Sequence, residues 1–503
     1  MLIAFVGLYF AVLLILCTYG LHRAHLVLQL WRHRHKVQLA CQLPAARLDE
    51  LPTVTIQLPL YNEATVVSRL LRGVASIEYP RDRLEIQVLD DSSDETRHIA
   101  SQAVEELRAA GYDASYIRRS DRHGYKAGAL DYGLKLAKGE LVAIFDADFI
   151  PQPNFLMAIV GHFCDSSVGM VQTRWTHLNR DVDLLTRVQA LMLDGHHLVE
   201  NQARFGAGCF FNFSGTGGVW RRTAIETAGG WQHDTLTEDL DLSYRAQLKG
   251  WKFVYRPDVV TPAELPEDMS ALRAQQFRWA KGTVQTARKL LPGIWANENL
   301  KLSQRVEAAF HMLPHFAYPL MLLLSILLLP ALIFLPATDL RTMLVVDLPL
   351  CLGATGSLVT FYAMAERAQG RSAWQAVRNM PSLIALGAGL SPYLTQAVIE
   401  GSRTMAGEFV RTPKRGGDSS RYKQATKWPF AELGLGCLSA ASVVVAVQTD
   451  HWVALPFAGL FMLGYFYVAV RLITEQLVVR QVAQLPAEDH AIDVDPSAMP
   501  RTA

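Results

Sequence analysis

Hydrophobic residues follow one pattern at the ends of this chain and another in its middle. Apolar runs long enough to cross a bilayer occupy residues 2–21 and recur after residue 300. Between about 51 and 300, short apolar runs alternate with segments of helical periodicity. The pattern predicts a soluble domain inserted between membrane-spanning helices.

The soluble segment opens with strands and helices in alternation. Apolar runs predict strands over 54–59, 84–89 and 115–117 and a fourth that ends at Asp146, with helices over 66–77, 95–110 and 126–136 between them. Strands that alternate with helices in this way form a parallel sheet with helical crossovers. We therefore expect an α/β, Rossmann-like domain.

The apolar runs also set the predicted boundaries. We expect an N-terminal anchor with a basic juxtamembrane segment over 1–36, a cytoplasmic domain over 37–300, a membrane region over 301–480 with spans at 313–335, 343–364, 430–447 and 453–472, and a disordered tail over 481–503. Residues 380–400 lie between two basic stretches, and a crossing there would place one stretch outside. An interfacial or re-entrant helix on the cytoplasmic side is predicted instead.

The N-terminal run has two readings, a retained anchor or a signal peptide. No basic residue precedes it, no small-residue cleavage motif ends it, and Arg23, Arg32, Arg34 and Lys36 follow it. These features favour an anchor. Because basic residues mark the cytoplasmic side, the N-terminus is expected outside and the following domain in the cytoplasm.

Composition narrows the class of protein. Half of the 503 residues are hydrophobic, above the soluble norm, so a lipid bilayer is an expected partner. A formal net charge of +1 does not indicate a basic surface that would bind nucleic acid, so no nucleic-acid partner is expected. The six cysteines lie far apart, which implies neither a zinc site nor a disulfide framework.

Asp146 and Asp148 follow the fourth strand with one alanine between them. Residues two apart on a strand point the same way, and ligands of doubly wound sheets collect at the carboxyl ends of strands. Two carboxylates there suit Mg²⁺ or Mn²⁺, whose coordination is usually completed by substrate phosphates. The alternative is a corner in which both acids only cap the next turn.

Two neighbouring strands also end in polar groups. Asp90 and Asp91 follow the second strand, where they can bond a base or ribose, and Lys126 lies in a basic loop after the third. If the strand ends lie side by side, these residues and the Asp146/Asp148 pair can hold the nucleoside, phosphates and metal of one ligand. Taken alone, Lys126 is more typical of a solvated lysine that opens a helix, but its loop of basic residues beside two acidic clusters favours the ligand-binding role.

Downstream, Thr237, Glu238 and Asp239 open a helical segment. Acids at a helix start are commonly caps, but a carboxylate here can also act as a general base toward an acceptor hydroxyl. General-base assistance contributes roughly 10² to 10⁴ in rate. The sequence leaves both roles open.

A later helical stretch places Gln275, Arg278 and Trp279 on one face. Arginine binds diphosphate oxygens bidentately, and tryptophan offers a flat surface on which a sugar can stack. An interfacial helix with a tryptophan anchor is the alternative, because membrane spans begin soon afterwards.

These motifs resemble those of membrane-embedded, processive glycosyltransferases of family 2, the cellulose-synthase superfamily. The matching residues are Asp90-Asp91, Asp146-Ala147-Asp148, Thr237-Glu238-Asp239 and Gln275-x-x-Arg278-Trp279, in the family's order. Residues 124–130, 171–175 and 211–220 extend the similarity toward the plant cellulose-synthase-like A group, which makes mannan and glucomannan backbones. The resemblance implies a GT-A fold seated on a helix bundle that forms a polymer channel.

The resemblance also implies residue roles. Asp91 contacts the nucleoside, Lys126 the diphosphate, Asp148 and Asp146 the metal, Asp239 acts as base beside Thr237 and Glu238, and Gln275, Arg278 and Trp279 hold the leaving group and the acceptor glycan. Residues 408–414 resemble the gating loop of bacterial cellulose synthase through Phe409, Thr412 and Lys414, although Arg411 departs from its pattern. A basic juxtamembrane loop over 403–427 is the alternative.

The implied activity is that of a metal-dependent, inverting hexosyltransferase. It polymerises a β-linked glucan, mannan or glucomannan from a UDP- or GDP-sugar onto a growing glycan acceptor and passes the chain across the inner (plasma) membrane, and accessory polysaccharide export proteins are compatible partners. The alternative is a membrane glycosyltransferase that adds a single sugar to a lipid acceptor.

Overall fold

The computed structural model describes residues 2–42, 51–335, 352–407 and 428–483. The strands are β1 (Val54–Leu60), β2 (Leu84–Asp90), β3 (Asp113–Ile117), β4 (Leu141–Ile144), β5 (Val168–His177), β6 (Gly218–Arg221) and β7 (Lys252–Ala263). The helices are α1 (Leu2–Cys41), α2 (Val67–Ala75), α3 (Thr96–Ala109), α4 (Tyr125–Leu136), α5 (Phe155–Ile159), α6 (Leu184–Gly195), α7 (Asn201–Ala207), α8 (Arg222–Thr227), α9 (Glu238–Leu248), α10 (Met269–Ala296), α11 (Leu302–Met312), α12 (Ala317–Phe334), α13 (Ser357–Arg367), α14 (Ala373–Arg403), α15 (Phe430–Gln448) and α16 (Leu455–Ala483). Short π-helical segments precede α7 (His196–Glu200) and α13 (Leu352–Gly356).

The strands form one seven-stranded sheet in the order β3-β2-β1-β4-β6-β5-β7. The first four strands are parallel, as the alternation of strands and helices predicts. β6 runs antiparallel to both β4 and β5, so the complete sheet is mixed. The predicted α/β domain is confirmed, and its second half adds an antiparallel strand that the sequence analysis did not anticipate.

Apolar side chains cover both faces of the sheet. Helices α2, α3 and α5 pack on one face through a cluster that includes Leu70, Val104 and Phe155. Helices α4, α8 and α9 pack on the other through residues such as Leu130 and Leu242. Because both faces are covered, ligands reach the sheet at its ends, where the loops between strands and helices lie.

The sheet order corrects one expectation about the strand ends. β1 lies between β2 and β4, so the carboxyl ends of the second and fourth strands are not direct neighbours. The loop after β1, with Tyr61 and Glu63, separates Asp91 from Asp146. A first strand that lies between the second and the fourth is typical of a doubly wound sheet, in which the first strand is central.

Five helical segments are long and apolar enough to cross a membrane: Ile3–Cys41, Pro314–Phe334, Ala373–Arg403, Phe430–Gln448 and Leu455–Arg480. Three coincide with the spans predicted at 313–335, 430–447 and 453–472, and the first contains the predicted anchor. The predicted span 343–364 begins outside the described residues, as does the gating-like loop with Phe409, Thr412 and Lys414. The tail beyond 483 also lies outside them.

Residues 380–400 belong to α14, a helix of 31 residues. Its length and composition suffice for a crossing. It packs against α10, which follows the sheet, and against α16, the last of the described candidate spans. Whether it crosses or lies along the interface stays a prediction, since length and apolar content suit both.

Helix α16 also fixes the starts of two helices of the soluble part. The Glu475 carboxylate accepts hydrogen bonds from the backbone N–H groups of Met269 (2.6 Å) and Ser270 (3.0 Å), which open α10. Arg471 donates to Asp183 (3.1 Å), the N-cap residue of α6. A helix N-terminus attracts negative charge, so Glu475 caps α10 from a different element.

Helices α14 and α16 approach through two glycines. A Cβ on Gly464 would lie 2.0 Å from the Ala385 carbonyl oxygen, and one on Gly389 would lie 2.3 Å from the Gly464 carbonyl oxygen. Small residues let helix backbones come this close in membranes.

We predict that Gly464→Ala forces α14 and α16 apart and destabilises the protein by about 1–3 kcal/mol, the usual cost of overpacking. Gly459→Ala in the same helix is the matched control, because no atom lies within 4 Å of its added Cβ. Thermal unfolding in detergent should show a lower midpoint for Gly464→Ala alone. Equal midpoints for both variants would contradict the close packing.

Candidate active site

A cavity of about 180 Å³ opens at the carboxyl ends of β1 and β4. Ten of the residues predicted to act at the site line it: Asp91, Lys126, Asp146, Asp148, Thr237, Glu238, Asp239, Gln275, Arg278 and Trp279. They come from the ends of β2 and β4 and from the starts of α4 and α9, with α10 closing one wall. The fold therefore brings together motifs that lie far apart in sequence.

Lys126 lies at the centre of the cavity. Its Nζ donates to Asp146 Oδ1 at 2.5 Å and to the Gly215 carbonyl oxygen at 2.9 Å. Burial opposes the charge of Lys126, but Asp146 and Glu238 outweigh it, and the pKa of Lys126 is raised. The ammonium group stays charged and available to a diphosphate.

Asp146 and Asp148 both line the cavity, on the short loop after β4. The Asp146 N–H is held by Thr216 Oγ1 at 2.9 Å. Asp148, 4% exposed, accepts a hydrogen bond from the Glu264 N–H at 3.3 Å. The two carboxylates are thus fixed from opposite sides, by the loop before β6 and the segment after β7.

These two carboxylates fit a hard divalent cation whose other ligands come from a substrate. No group of three or more His, Cys, Asp or Glu side chains suited to a metal occurs among the described residues, so these residues alone do not form a complete metal cage. A pair of carboxylates with diphosphate oxygens is the usual arrangement for Mg²⁺, and oxygen ligands suit Mn²⁺ equally.

The neighbouring aspartates after β2 have different surroundings. Asp91 lines the cavity and forms a two-point ion pair with Arg119, with Nε to Oδ1 at 3.1 Å. Asp90 is 1% exposed, accepts hydrogen bonds from the Ser92 N–H and the Tyr116 hydroxyl, and does not line the cavity. Adjacent strand residues point to opposite faces, which explains why only Asp91 faces the cavity.

Thr237, Glu238 and Asp239 stand at the start of α9 beside Lys126. Gly215, with φ of +81°, passes so close that a Cβ there would lie 2.9 Å from Asp239 Oδ2. The carbonyl oxygen of Gly215 also accepts from Lys126. Glycine is therefore required between the lysine and the predicted base.

Burial and the neighbouring Glu238 carboxylate raise the pKa of Asp239 to about 7. Burial also raises the pKa of Glu238. A carboxylate with a pKa near neutrality is well matched to proton transfer at physiological pH. The geometry and this shift together favour Asp239 as a general base over a simple helix cap.

Helix α10 supplies Gln275, Arg278 and Trp279 to the same cavity, as its periodicity predicts. Burial lowers the pKa of Arg278, while the nearby Glu238 and Asp146 carboxylates oppose that effect. Arginine nevertheless remains protonated in proteins. Arg278 and Lys126 thus provide two positive charges to the cavity.

Several lining residues were given no role from sequence. Tyr61 and Glu63 follow β1, Trp175 and His177 end β5, and Arg122 precedes α4. Tyr61 and Arg122 follow strands and so carried a positional signal, whereas Trp175 and His177 belong to a strand whose place in the sheet was not predicted.

Gln285 is a further residue that sequence reasoning missed. Its side chain, 0% exposed, accepts from the Leu236 N–H at 3.0 Å and donates to the carbonyl oxygens of Thr404 (3.0 Å) and Ala406 (2.7 Å). One amide therefore joins the loop before Thr237 to the end of α14. A lone glutamine in a helix carries no signal for contacts so distant in sequence.

A second, larger cavity of about 710 Å³ adjoins the first. Asp239, Gln275 and Trp279 line both. Beyond them the larger cavity passes polar residues including His196, Glu200 and Asn212, and then apolar residues of the membrane helices: Phe10, Leu328, Leu332, Leu386, Leu390, Phe457 and Phe461.

The region that forms the sheet and most of the site is similar to known proteins. Residues 52–282 match the model of the family described as "Glycosyltransferase like family 2". This region is similar to family 2 glycosyltransferase domains. It contains β1 to β7 and the first part of α10, up to Gly282.

Two curated relatives of this region are plant proteins. "Probable glucomannan 4-beta-mannosyltransferase 7" of Oryza sativa subsp. japonica is 41% identical over 272 residues, covering 53% of this chain and 46% of the relative. "Glucomannan 4-beta-mannosyltransferase 2" of Arabidopsis thaliana is 39% identical over 267 residues, covering 52% and 50%. The chain spans about half the length of the curated relatives it matches. The resemblance to the cellulose-synthase-like A group is confirmed.

A solved structure with a similar fold is that of the mannosyltransferase PcManGT from Pyrobaculum calidifontis in complex with GDP-Man and Mn²⁺. The TM-score is 0.50 at 23% identity, and the match covers 73% of this chain and 99% of that one. At this identity the likeness concerns the fold. It confirms the predicted GT-A fold.

We predict that kcat/KM for glycosyl transfer rises as the pH increases through about 7, because Asp239 must lose its proton to act as a base. In Glu238→Gln the rise in kcat/KM should occur at lower pH, since the Glu238 charge contributes to the raised pKa of Asp239. Rate profiles of the wild type and the variant test both points. If kcat/KM rises at the same pH in Glu238→Gln as in the wild type, Asp239 is not the titrating group.

We further predict that Gln285→Leu lowers kcat about tenfold or more while the Kd for donor nucleotide stays within about twofold, because Gln285 positions the loop before Thr237 through Leu236 and does not itself line the cavity. Gln232→Leu is a control on the surface side of the same region, where the amide contacts Lys289 and Gly229. Equal losses in both variants would indicate a general effect on folding.

Proposed function

We propose that this chain is a processive, inverting glycosyltransferase that polymerises a β-linked mannan or glucomannan from GDP-mannose and passes it into the membrane region. The observation that carries the proposal is the shared wall of the two cavities. Asp239, Gln275 and Trp279 face the charged cavity at the sheet and the larger cavity among the membrane helices. Donor and acceptor can thus meet at Asp239 from opposite sides.

The choice of donor rests on the relatives. Those of the family 2 domain are named as mannosyltransferases that act on glucomannan, and the solved structure of similar fold contains GDP-Man. These names support GDP-mannose over UDP-glucose. The polymer is accordingly of the mannan or glucomannan type.

In the proposed reaction, each charged residue of the cavity that takes part has one role. An acceptor hydroxyl held against Trp279 loses its proton to Asp239 and attacks the anomeric carbon of the donor sugar from the face opposite the diphosphate. The bond between the anomeric carbon and the diphosphate oxygen breaks, and GDP leaves with the electron pair. Lys126 and Arg278 stabilise the charge that develops on the leaving group.

Asp146 and Asp148 would hold Mg²⁺ or Mn²⁺ on the diphosphate. When bound, the ion neutralises phosphate charge and so assists departure of the leaving group. Because Asp146 also accepts from Lys126, the lysine fixes one oxygen of this carboxylate and leaves the other free to face a ligand.

We place the chain in the plasma membrane with the family 2 domain in the cytoplasm. The candidate spans support a multi-pass membrane protein. Arg32, Arg34 and Lys36 near the end of α1 support the cytoplasmic position, since basic residues are retained on that side. Nucleotide sugars are then available to the domain directly.

One observation favours the alternative of a lipid-linked acceptor. The larger cavity becomes apolar toward the membrane helices, where Leu328, Leu386, Phe457 and Phe461 line it. An acyl or prenyl chain would find favourable surroundings there, with its sugar end near Asp239. A polymer, in contrast, would slide over aromatic faces and contact the polar residues.

We predict that the purified protein, supplied with Mn²⁺, releases nucleotide fastest from GDP-mannose among GDP-mannose, GDP-glucose, UDP-glucose and UDP-N-acetylglucosamine. The product should be a long chain that β-mannanase degrades. A short product that partitions into organic solvent would support the lipid acceptor instead. Asp239→Asn should lose roughly 10²-fold or more in turnover, and full activity in this variant would refute the proposed base.

A further inference from the structure

Arg122 lies in the wall of the charged cavity, stacked on an aromatic ring. Its guanidinium carbon lies 3.2 Å from the centroid of the Tyr61 ring and 5.0 Å from that of Tyr125. Arg122, Tyr61 and Asp91 all line the cavity. A planar guanidinium so close to a ring stacks on it and directs its N–H groups outward along its edge.

Two backbone features fix this arrangement. Gly124 (φ +71°) and Tyr125 (φ +51°) adopt left-handed conformations in the turn that leads into α4, and the Tyr125 N–H donates to the Arg122 carbonyl oxygen at 3.0 Å. On the other side, Asn62 (φ +55°) anchors the loop after β1, because its N–H donates to Ser92 Oγ at 2.8 Å. The tyrosine and the arginine are thus presented by two separately held loops.

The charge of Arg122 is not used within the described part of the chain. Its neighbour Arg119 pairs with Asp91 and also donates to the carbonyl oxygens of His123 and Tyr125. Arg122 forms no ion pair with any residue that the structure describes. A guanidinium held on an aromatic ring at a cavity wall, with its donor edge unpaired, is suited to read a planar ligand.

We propose that Arg122 recognises the base of the donor nucleotide and confers a preference for guanine. This inference rests on the proposed function, which places a nucleoside diphosphate in the cavity with its phosphates at Lys126. Arg122 lies in the loop before α4 and Lys126 in the first turn of that helix, and both line the cavity, so a nucleotide whose diphosphate contacts Lys126 can extend its base toward Arg122. Stacked on Tyr61, the guanidinium donates two parallel hydrogen bonds to the base edge.

Guanine matches this edge better than the other bases. It presents O6 and N7 as adjacent acceptors, the pair that arginine binds bidentately. Adenine replaces O6 with an amino donor, and uracil has no second acceptor beside its O4. The discrimination arises because a site built around paired donors leaves them unsatisfied with the wrong base.

The test measures the Kd values of GDP, IDP, ADP and UDP for the full-length protein in detergent with Mn²⁺. IDP keeps O6 and N7 but lacks the 2-amino group, so it isolates the edge assigned to Arg122. We expect the wild type to bind GDP and IDP about tenfold or more tightly than ADP and UDP. Arg122→Lys keeps the charge but loses the planar fork, and it should weaken GDP and IDP binding about tenfold while UDP changes less than about twofold.

Arg118→Ala is the matched control, since Arg118 is exposed on the same loop and does not line the cavity. It should leave all four Kd values unchanged, and retained UDP binding by Arg122→Lys shows that the variant is folded. Equal weakening of GDP and UDP in Arg122→Lys would assign the residue to the diphosphate and overturn the inference. So would tighter binding of UDP than of GDP by the wild type.

The inference and the proposed function fail in different ways. If the wild type prefers GDP and Arg122→Lys loses that preference, but no nucleotide sugar is turned over, the base-reading role stands and the glycosyltransferase proposal falls. If GDP-mannose is turned over while Arg122→Lys retains the full preference for GDP, the role of Arg122 falls and the activity stands.

Discussion

The ion pair between Lys126 and Asp146 is the interaction on which the candidate site depends. Carboxylates from five segments of the chain line one cavity that only a few cations share: Glu63, Asp91, Asp146 with Asp148, Glu238 with Asp239, and Glu264. Without a central lysine their mutual repulsion would oppose folding, because charges attract and repel more strongly away from water. Lys126 offsets this repulsion and, through the Gly215 carbonyl oxygen, also ties β4 to the segment before β6.

Buried charge also fixes the catalytic domain on the membrane helices. Glu200 pairs with Arg23 of α1 and with Arg204, which in turn contacts Glu307. Desolvation offsets much of the attraction in such pairs, so they add little net stability, but losing one partner leaves an uncompensated buried charge. A displaced domain would incur that cost. The arrangement therefore favours one position of Trp279 and Asp239 relative to the cavity among the helices.

The sequence predicted the first half of the sheet and most of the site because those features are local. The strands before Asp91 and Asp146 show clear apolar runs, and Gln275, Arg278 and Trp279 share a helical face. Features that depend on the topology of the sheet could not be predicted from the sequence. The pairing of the strands decides that β1 is central, that β6 is antiparallel and that the Asp90 side chain is buried away from the cavity. The contacts of Gln285 join segments more than a hundred residues apart.

Under the proposed function, the two cavities bear on how a growing glycan is retained between additions. A polymerase that holds its product must release nucleotide without opening the acceptor site. Here Lys126 and Asp148 line only the cavity at the sheet, whereas Trp279 and Asp239 line that cavity and the one among the membrane helices. If the glycan occupies the second cavity, GDP can leave at the strand ends while Trp279 keeps the acceptor sugar beside the base. Only the end of the chain must then advance by one sugar, so the geometry removes the need for the glycan to dissociate between additions.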